Sequence, residues 1–237
     1  MIREKEKCLT RFLNMSELNE IQKKVLNFLS KSPLAKKFYF TGGALLGAHY
    51  LHHRKSKDLD FFSDEAVSYG EALKFIEELK KELRLDKVKE KKIYDRHEFF
   101  ISNGNEVRME FVYYNHPKIK RRKKWDGVFI DSLDDIAANK LMAFFDRNEP
   151  KDLFDLYFLI TREGYKIQKL LKLVEKKFGV TFSKTAVFSE AYKALNDLDN
   201  LKPLLLVSNN KEADKLIKEI KDYFISNSTS LLSGLLK

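Results

Sequence analysis

Asp58 and Asp60 stand two positions apart in the stretch KDLDFF, residues 57–62, with Leu59, Phe61 and Phe62 around them. In an extended chain, residues two apart point the same way with Cβ atoms roughly 6 to 7 Å apart, so both carboxylates can converge on one point while Leu59 turns to a core. Two like charges near 4 Å repel by on the order of 1 kcal/mol in water and about 4 kcal/mol in a half-buried setting. A divalent cation removes the conflict, and Mg²⁺ is ordinarily held by one or two carboxylates with waters and substrate phosphates. Two solvated acids at a strand edge would read the same, so the surroundings decide.

Those surroundings are FYFTGGALLGAHYLHHRKSKDLDFF: an apolar strand over 37–41, Gly42 and Gly43, a helical stretch over 42–51, then the acidic strand. Paired glycines between strand and helix let the backbone approach a phosphate, and N–H groups at the head of a helix favour an anion. Phosphate and metal would then be neighbours. The pattern resembles nucleotidyltransferases with a DNA polymerase beta-like palm. More narrowly, TGGALL, HRKSKDLDFF, DDIAANKLMAFFDR and KDLFDLYFL, in that order, resemble the AbiEii/AbiGii-type nucleotidyl transferase toxins of bacterial abortive-infection and toxin–antitoxin systems, over roughly residues 35–160.

The resemblance implies a set of site residues. Asp58 and Asp60 would bind Mg²⁺ or Mn²⁺, with a third carboxylate from a neighbouring strand. In VRMEFVYY, alternation puts Arg108, Glu110 and Val112 on one face and Val107, Met109, Phe111 and Tyr113 on the other. Glu110 is the candidate, its alternative being a solvent-facing acid. Gly42 and Gly43 match the phosphate turn. Arg54 and Ser56 match the family as well, Arg54 to touch phosphate or pair with an acid, Ser56 to cap a turn. Lys140 and Arg147, seven apart and so on one helix face, would neutralise the triphosphate of an incoming NTP. Lys151 and Asp152 match the last block; Asp152, in the first turn of its helix, reads equally as a site residue, a cap or a structural ion pair. Asp155 is a further acid one turn on. The implied reaction moves a nucleoside monophosphate from the NTP to an acceptor hydroxyl and releases pyrophosphate. RNA, tRNA in particular, would be the acceptor, and an antitoxin the partner.

Apolar periodicity places these residues on elements. Helices are predicted at 16–31, with Ser16 as N-cap, and at 69–85. The segments 87–95, 97–102 and 106–114, with NGN at 103–105, read as an antiparallel meander. From about 131 the pattern is helical only: 132–147, 151–164, 167–179, 183–198 and 210–226, with Ser132 and Ser183 as caps and Gly164 and Gly179 as stops. The expected architecture is α+β: a palm domain with a mixed or antiparallel sheet over 1–130, then a helical domain over 131–237 forming the second wall of a cleft. The basic run KIKRRKK, 118–124, marks an exposed junction between them.

Composition bounds the reading. The 237 residues are 43% hydrophobic, with 45 Lys and Arg against 35 Asp and Glu, a formal charge of +10. That excess suits a polyanionic partner, or serves solubility. No run reaches the roughly 20 apolar residues of a membrane span, and MIREKEKC lacks the apolar stretch of a secretory signal, so a cytoplasmic protein is expected. One cysteine, Cys8, excludes a disulfide framework and a thiolate zinc cluster. His49, His52 and His53 read as packing at a helix end rather than as a zinc site. Trp125, after the basic run, could stack on a base. Two rivals stay open: transfer to a small hydroxyl compound or a protein side chain, and a non-catalytic binding module with a relict site.

Overall fold

A computed structural model describes residues 15–94 and 96–235; Cys8 lies outside them. The chain divides into two compact units, 1–116 with 120–132, and 117–119 with 133–237.

The first unit is built on a mixed sheet of β1 (Tyr39–Thr41), β2 (Asp58–Ser63), β3 (Lys87–Ile93), β4 (Arg96–Asn103), β5 (Asn105–Tyr113), β6 (Lys123–Trp125) and β7 (Val128–Ile130). The spatial order is β3-β4-β5-β2-β1-β7-β6. β3, β4 and β5 form the expected antiparallel meander, turning at Gly104 with φ +81°. β2 lies parallel to β5 and antiparallel to β1. It alternates half-buried and buried positions, so Leu59 and Phe61 enter the core while Asp58, Asp60 and Phe62 face the other way.

The core face of this sheet centres on Phe111, whose ring meets Phe38, Phe61, Phe75 and Phe99 at centroid distances of 4.9, 5.4, 5.8 and 6.1 Å. Each of these side chains, fully buried, contributes roughly 1.5–3 kcal/mol. Helices α1 (Glu20–Lys31) and α3 (Tyr69–Leu83) supply Val25, Leu26 and Leu29, and Phe75, Ile76 and Leu79. The cap of α1 is Asn19, not Ser16: its side chain accepts from the Gln22 N–H while Gln22 returns a bond to the Asn19 N–H. Such a reciprocal pair satisfies two free donors where a serine three residues upstream satisfies none.

Two stretches depart from expectation. Residues 42–51 are helical, but only Gly42–Leu45 (α2) is α; Leu46–Leu51 is a π-helical segment ending at His52 with φ 48°. The basic run is not wholly an exposed junction. Its last two residues, with Trp125, pair as β6 with β7 across Asp126 and Gly127, both at positive φ as a two-residue hairpin turn requires, and β7 joins β1 in parallel. Trp125 is therefore buried, 11° from parallel with Phe40 and 4.7 Å from His49, and is no exposed base platform.

The second unit is helical: α4 (Leu133–Arg147), α5 (Pro150–Thr161), α6 (Ile167–Phe178), α7 (Lys184–Ala194), a 3₁₀ stretch Leu195–Leu204, and α8 (Asn210–Leu235). Ser183 caps α7 through the Ala186 N–H, and Gly179 ends α6 at φ 71°. The helix predicted over 183–198 breaks at Ala194, and α8 runs past residue 226. Among the described residues no helix is long and apolar enough to cross a membrane.

Candidate active site

The carboxylates gather on the face of the sheet opposite the Phe111 core. Parallel pairing of β2 with β5 sets Asp58 beside Arg108 and Asp60 beside Glu110, and antiparallel pairing of β4 with β5 sets Glu98 beside Glu110. Partners in register share a face, so Glu98, Glu110 and Asp60 form a row across three strands with Asp58 one step along β2. Glu98 and Glu110 are 6% and 4% exposed.

Arg108 stands among them. Its Nε donates to Asp58 Oδ1 at 3.1 Å and its Nη2 to Oδ2 at 3.0 Å; Nη1 lies 2.5 Å from Glu110 and 3.8 Å from Glu98. Arg96 Nη1 adds contacts of 3.7 Å to Glu110 and 3.8 Å to Glu98. Burial disfavours the Arg108 charge, but the hydrogen bond and charge of Asp58, with Glu110 and Asp60, outweigh it and raise its pKa. Burial also lifts the Glu110 carboxyl above its ordinary 4.5, partly offset by Arg108 and Arg96.

The glycine turn closes over this row. A Cβ on Gly42, at φ +74°, would fall 1.8 Å from Asp60 Oδ2, so only glycine lets the turn meet that carboxylate. A Cβ on Gly43 would lie 2.8 Å from Arg54 Nη2 and 3.5 Å from Ser56 Oγ. Arg54 is 2% exposed and donates to the Lys55 carbonyl, and the Ser56 hydroxyl accepts from the Asp58 N–H at 3.4 Å. Gln22, fully buried on α1, holds the Ser56 carbonyl at 2.8 Å. Arg54 and Ser56 thus brace the turn from beneath.

The donor set suits a hard cation. Three of its carboxylates are the predicted Asp58, Asp60 and Glu110, on adjacent strands, and Glu110 Oε1 is buried in an ion pair with Arg108 Nη1. Among the described residues no three acidic or imidazole side chains are grouped so as to hold a metal ion. The residues are of the kind that hold Mg²⁺ or Mn²⁺, and the guanidinium of Arg108 supplies the counter-charge among them.

The sequence matches, over residues 24–226, the family described as nucleotidyl transferase AbiEii toxin, type IV toxin–antitoxin system. The chain belongs to that family. An uncharacterized protein of Aquifex aeolicus, aq_aa25, is 30% identical over 174 residues, 71% of this chain and 80% of that protein. The fold is similar to the crystal structure of JHP933 from Helicobacter pylori, with TM-score 0.58, 18% identity, and coverage of 95% of this chain and 97% of that one.

In this AbiEii-family nucleotidyltransferase the remaining predicted residues lie in the helical unit. Lys140 Nζ sits 3.0 Å from Asp152 and 2.7 Å from Asp155, and Arg147 meets Asp152 through Nε at 2.8 Å and Nη2 at 2.7 Å. Asp152 and Asp155 are fully buried and Lys140 is 6% exposed, so four formal charges cancel within one cluster. Lys151 pairs with Glu149 at 2.8 Å.

Several charged residues were not anticipated. Arg108 was read for its face but not as the centre of the carboxylate cluster, and Glu98 was not singled out. Asp131, 1% exposed, accepts from Thr41 Oγ1 at 2.9 Å and Arg122 Nε at 3.1 Å, while its carbonyl accepts from Tyr50. Arg122 also pairs with Asp64 and lies 3.3 Å over the Tyr39 ring, which ties β7 to the strand that leads into the glycine turn. In the helical unit Lys177 pairs with Asp135 at 2.9 Å, and Asp134 accepts from Tyr165.

Proposed function

We propose that the chain transfers a nucleoside monophosphate from an NTP to a hydroxyl of an RNA acceptor, with tRNA as the expected class, releases pyrophosphate, and is restrained by a cognate antitoxin in the cytoplasm. The observation that carries this is the in-register pairing of Asp60 with Glu110, with Gly42 closed against the Asp60 carboxylate. Asp58, Asp60 and Glu110 would hold Mg²⁺ or Mn²⁺. When bound, the ion offsets charge on the nucleotide phosphates and makes the acceptor hydroxyl a better nucleophile.

The chain's own residues do the rest. The Gly42–Gly43 turn, packed against the Asp60 carboxylate and the Arg54 guanidinium where a Cβ would not fit, would offer its backbone to the phosphates, while Arg54 and Ser56 keep it in one shape. Glu110, the third carboxylate of the row, would also assist removal of the acceptor proton. The resemblance assigns charge neutralisation on the nucleotide to Lys140, Arg147 and Lys151, with Asp152 holding the first two in fixed geometry. Catalysis is then mostly positioning and electrostatics.

The test incubates the purified chain and Asp60→Asn with each labelled NTP, Mg²⁺, and separate pools of RNA, protein and small hydroxyl compounds. Label is expected in the RNA pool with wild type alone. Label in either other pool replaces the acceptor, and no transfer by a folded wild-type chain from any NTP removes the proposal.

A further inference from the structure

Four cations of the helical unit are already matched by acids. Lys140, Arg147, Lys151 and Lys177 each face a carboxylate. β3, at the edge of the sheet, differs. It carries Lys87, Lys89, Lys91 and Lys92 against one acid, Glu90, which is occupied by the Tyr69 hydroxyl. Among the described residues, Lys87, Lys89 and Lys91 form no ion pair, and all three are exposed.

Register gives the row its direction. Lys89 pairs with Phe100 and Lys91 with Glu98, while Phe100 pairs with Arg108 and Glu98 with Glu110. Lys87, Lys89 and Lys91 therefore share the face of Glu98, Glu110 and Asp60. Successive members are about 7 Å apart, near the spacing of phosphates along an extended single strand, and the backbone at Lys91 is about 14 Å from that at Asp60, three strand spacings away. Arg96, on the same face and half exposed, bridges the interval.

The strand ends at an exposed ring. Tyr94, at φ 49° in the β3–β4 turn, is 92% exposed, an outlier for a large ring. It borders a cavity of about 200 Å³ with Tyr69, Lys92, His97 and Tyr113, which lies on the other, Phe111 face of the sheet, since Lys92 pairs with His97 and His97 with Phe111; Tyr94 stands at the edge between the two faces. Tyr69 and His97 lie 5.3 Å apart, with Lys92 5.8 Å from the Tyr69 centroid. Lysines spaced along a backbone, with an exposed ring at the end of the row, are how single strands are bound without sequence preference.

We propose that β3 is the docking rail for a single-stranded nucleic-acid acceptor, with phosphates on Lys87, Lys89 and Lys91 and a base stacked on Tyr94 at the tip. This rests on the nucleic-acid acceptor of the proposed function and adds the surface that receives it. Lysines on an edge strand also guard against strand pairing, and that duty alone predicts aggregation of the variants rather than loss of ligand.

The test measures fluorescence anisotropy of a labelled 12-nucleotide single-stranded RNA with the full chain, without metal or NTP, across a salt series. Replacing Lys87, Lys89 and Lys91 together by Gln is expected to weaken binding at least tenfold and to flatten the slope of log affinity against log salt by about 2, three contacts at roughly 0.7 each. The Lys→Arg triple keeps wild-type affinity, and Tyr94→Ala weakens binding about tenfold, as loss of one stacked base does. Unchanged affinity and slope in the Gln triple overturn the inference, as does equal binding of poly-glutamate, which would make the rail a dock for an acidic protein. Asp60→Asn keeps the RNA and loses transfer. If Asp60→Asn still transfers, the catalytic reading falls while the rail stands.

Discussion

Arg108 grips Asp58 through two parallel contacts, 3.1 and 3.0 Å, while its third nitrogen reaches Glu110. A guanidinium therefore occupies the carboxylates that the resemblance assigns to a divalent ion, and an added ion would compete with it for the same oxygens. Arg108→Gln leaves the buried Glu110 with less compensation, so it is expected to destabilise the fold by about 1–3 kcal/mol. The same variant binds Mn²⁺ more tightly than wild type in the absence of nucleotide and regains stability when Mn²⁺ is added. Urea unfolding with and without Mn²⁺, beside a calorimetric Mn²⁺ titration, checks both, and weaker uptake by Arg108→Gln would contradict the competition.

Chelation follows from the same relation. Because Arg108 and Arg96 already face the carboxylates, EDTA is expected to leave the wild-type unfolding midpoint within about 2 °C of its untreated value, while it stops any metal-dependent transfer. Differential scanning calorimetry before and after dialysis decides it. A large drop would mean that the carboxylate row depends on a resident ion for its folding.

Gly42→Ala puts a Cβ 1.8 Å from Asp60 Oδ2 at a backbone φ of +74°. Strain at positive φ costs roughly 1 kcal/mol by itself. Displacing Asp60 adds the functional loss, expected at 100-fold or more, since a shift of about 1 Å at a reacting centre has that effect. Gly104→Ala is the control: its φ is +81° but nothing lies within 4 Å, so stability falls by a similar amount and transfer rates do not. Equal rate losses in the two variants would detach the turn from the site.

What was legible in the sequence was local and periodic. Strict alternation in DLDFF and VRMEFVYY assigned Asp58, Asp60 and Glu110 to the non-core faces of their strands, and the helices of the second unit followed from spacing of three and four. What alternation leaves open is which strand lies next to which. β2 pairs with β5 across an intervening helix and two strands, so Arg108 and Glu98 entered the cluster only once the order β4-β5-β2 was known. The Thr41–Asp131 contact spans 90 positions and has no local signature. The β6–β7 hairpin did have one, Asp126-Gly127, but the basic run before it suggested an exposed segment, and so Trp125 was given to solvent. In the π-helical stretch at 46–51, Gly47 has a packing reason to be glycine: a Cβ there would come 2.5 Å from the Arg54 carbonyl.

Asp152 separates structure from catalysis in the helical unit. It binds both Lys140 and Arg147 and is fully buried, so Asp152→Ala leaves a buried lysine short of one partner and is expected to cost about 3–5 kcal/mol. Lys151→Ala breaks a pair with Glu149 in which both side chains are partly in water, 29% and 40% exposed, and stays within about 0.5 kcal/mol of wild type. Loss of transfer in Lys151→Ala with normal stability would make Lys151 a ligand contact. Denaturant unfolding of the two variants should differ sharply, and similar costs would disprove the assignment of Asp152 as the centre of the cluster.

His49 provides the pH dependence. Its ring lies 4.7 Å from Trp125 and edge-on to Tyr50. Burial first, then the charges of His52 and Lys123, hold its pKa below the ordinary 6.5, and Asp126 pulls the other way. The unfolded chain takes up this proton near pH 6.5 and the folded chain only at lower pH, so the unfolded state binds more protons in between. The contribution is therefore complete above pH 6.5 and declines as the pH falls from there toward the folded value. Unfolding free energy is expected to drop between pH 7 and pH 5.5 in wild type, and less in His49→Gln. Proton NMR of the imidazole should show a midpoint below 6.5, and a midpoint at or above that value would remove burial against Trp125 as the cause.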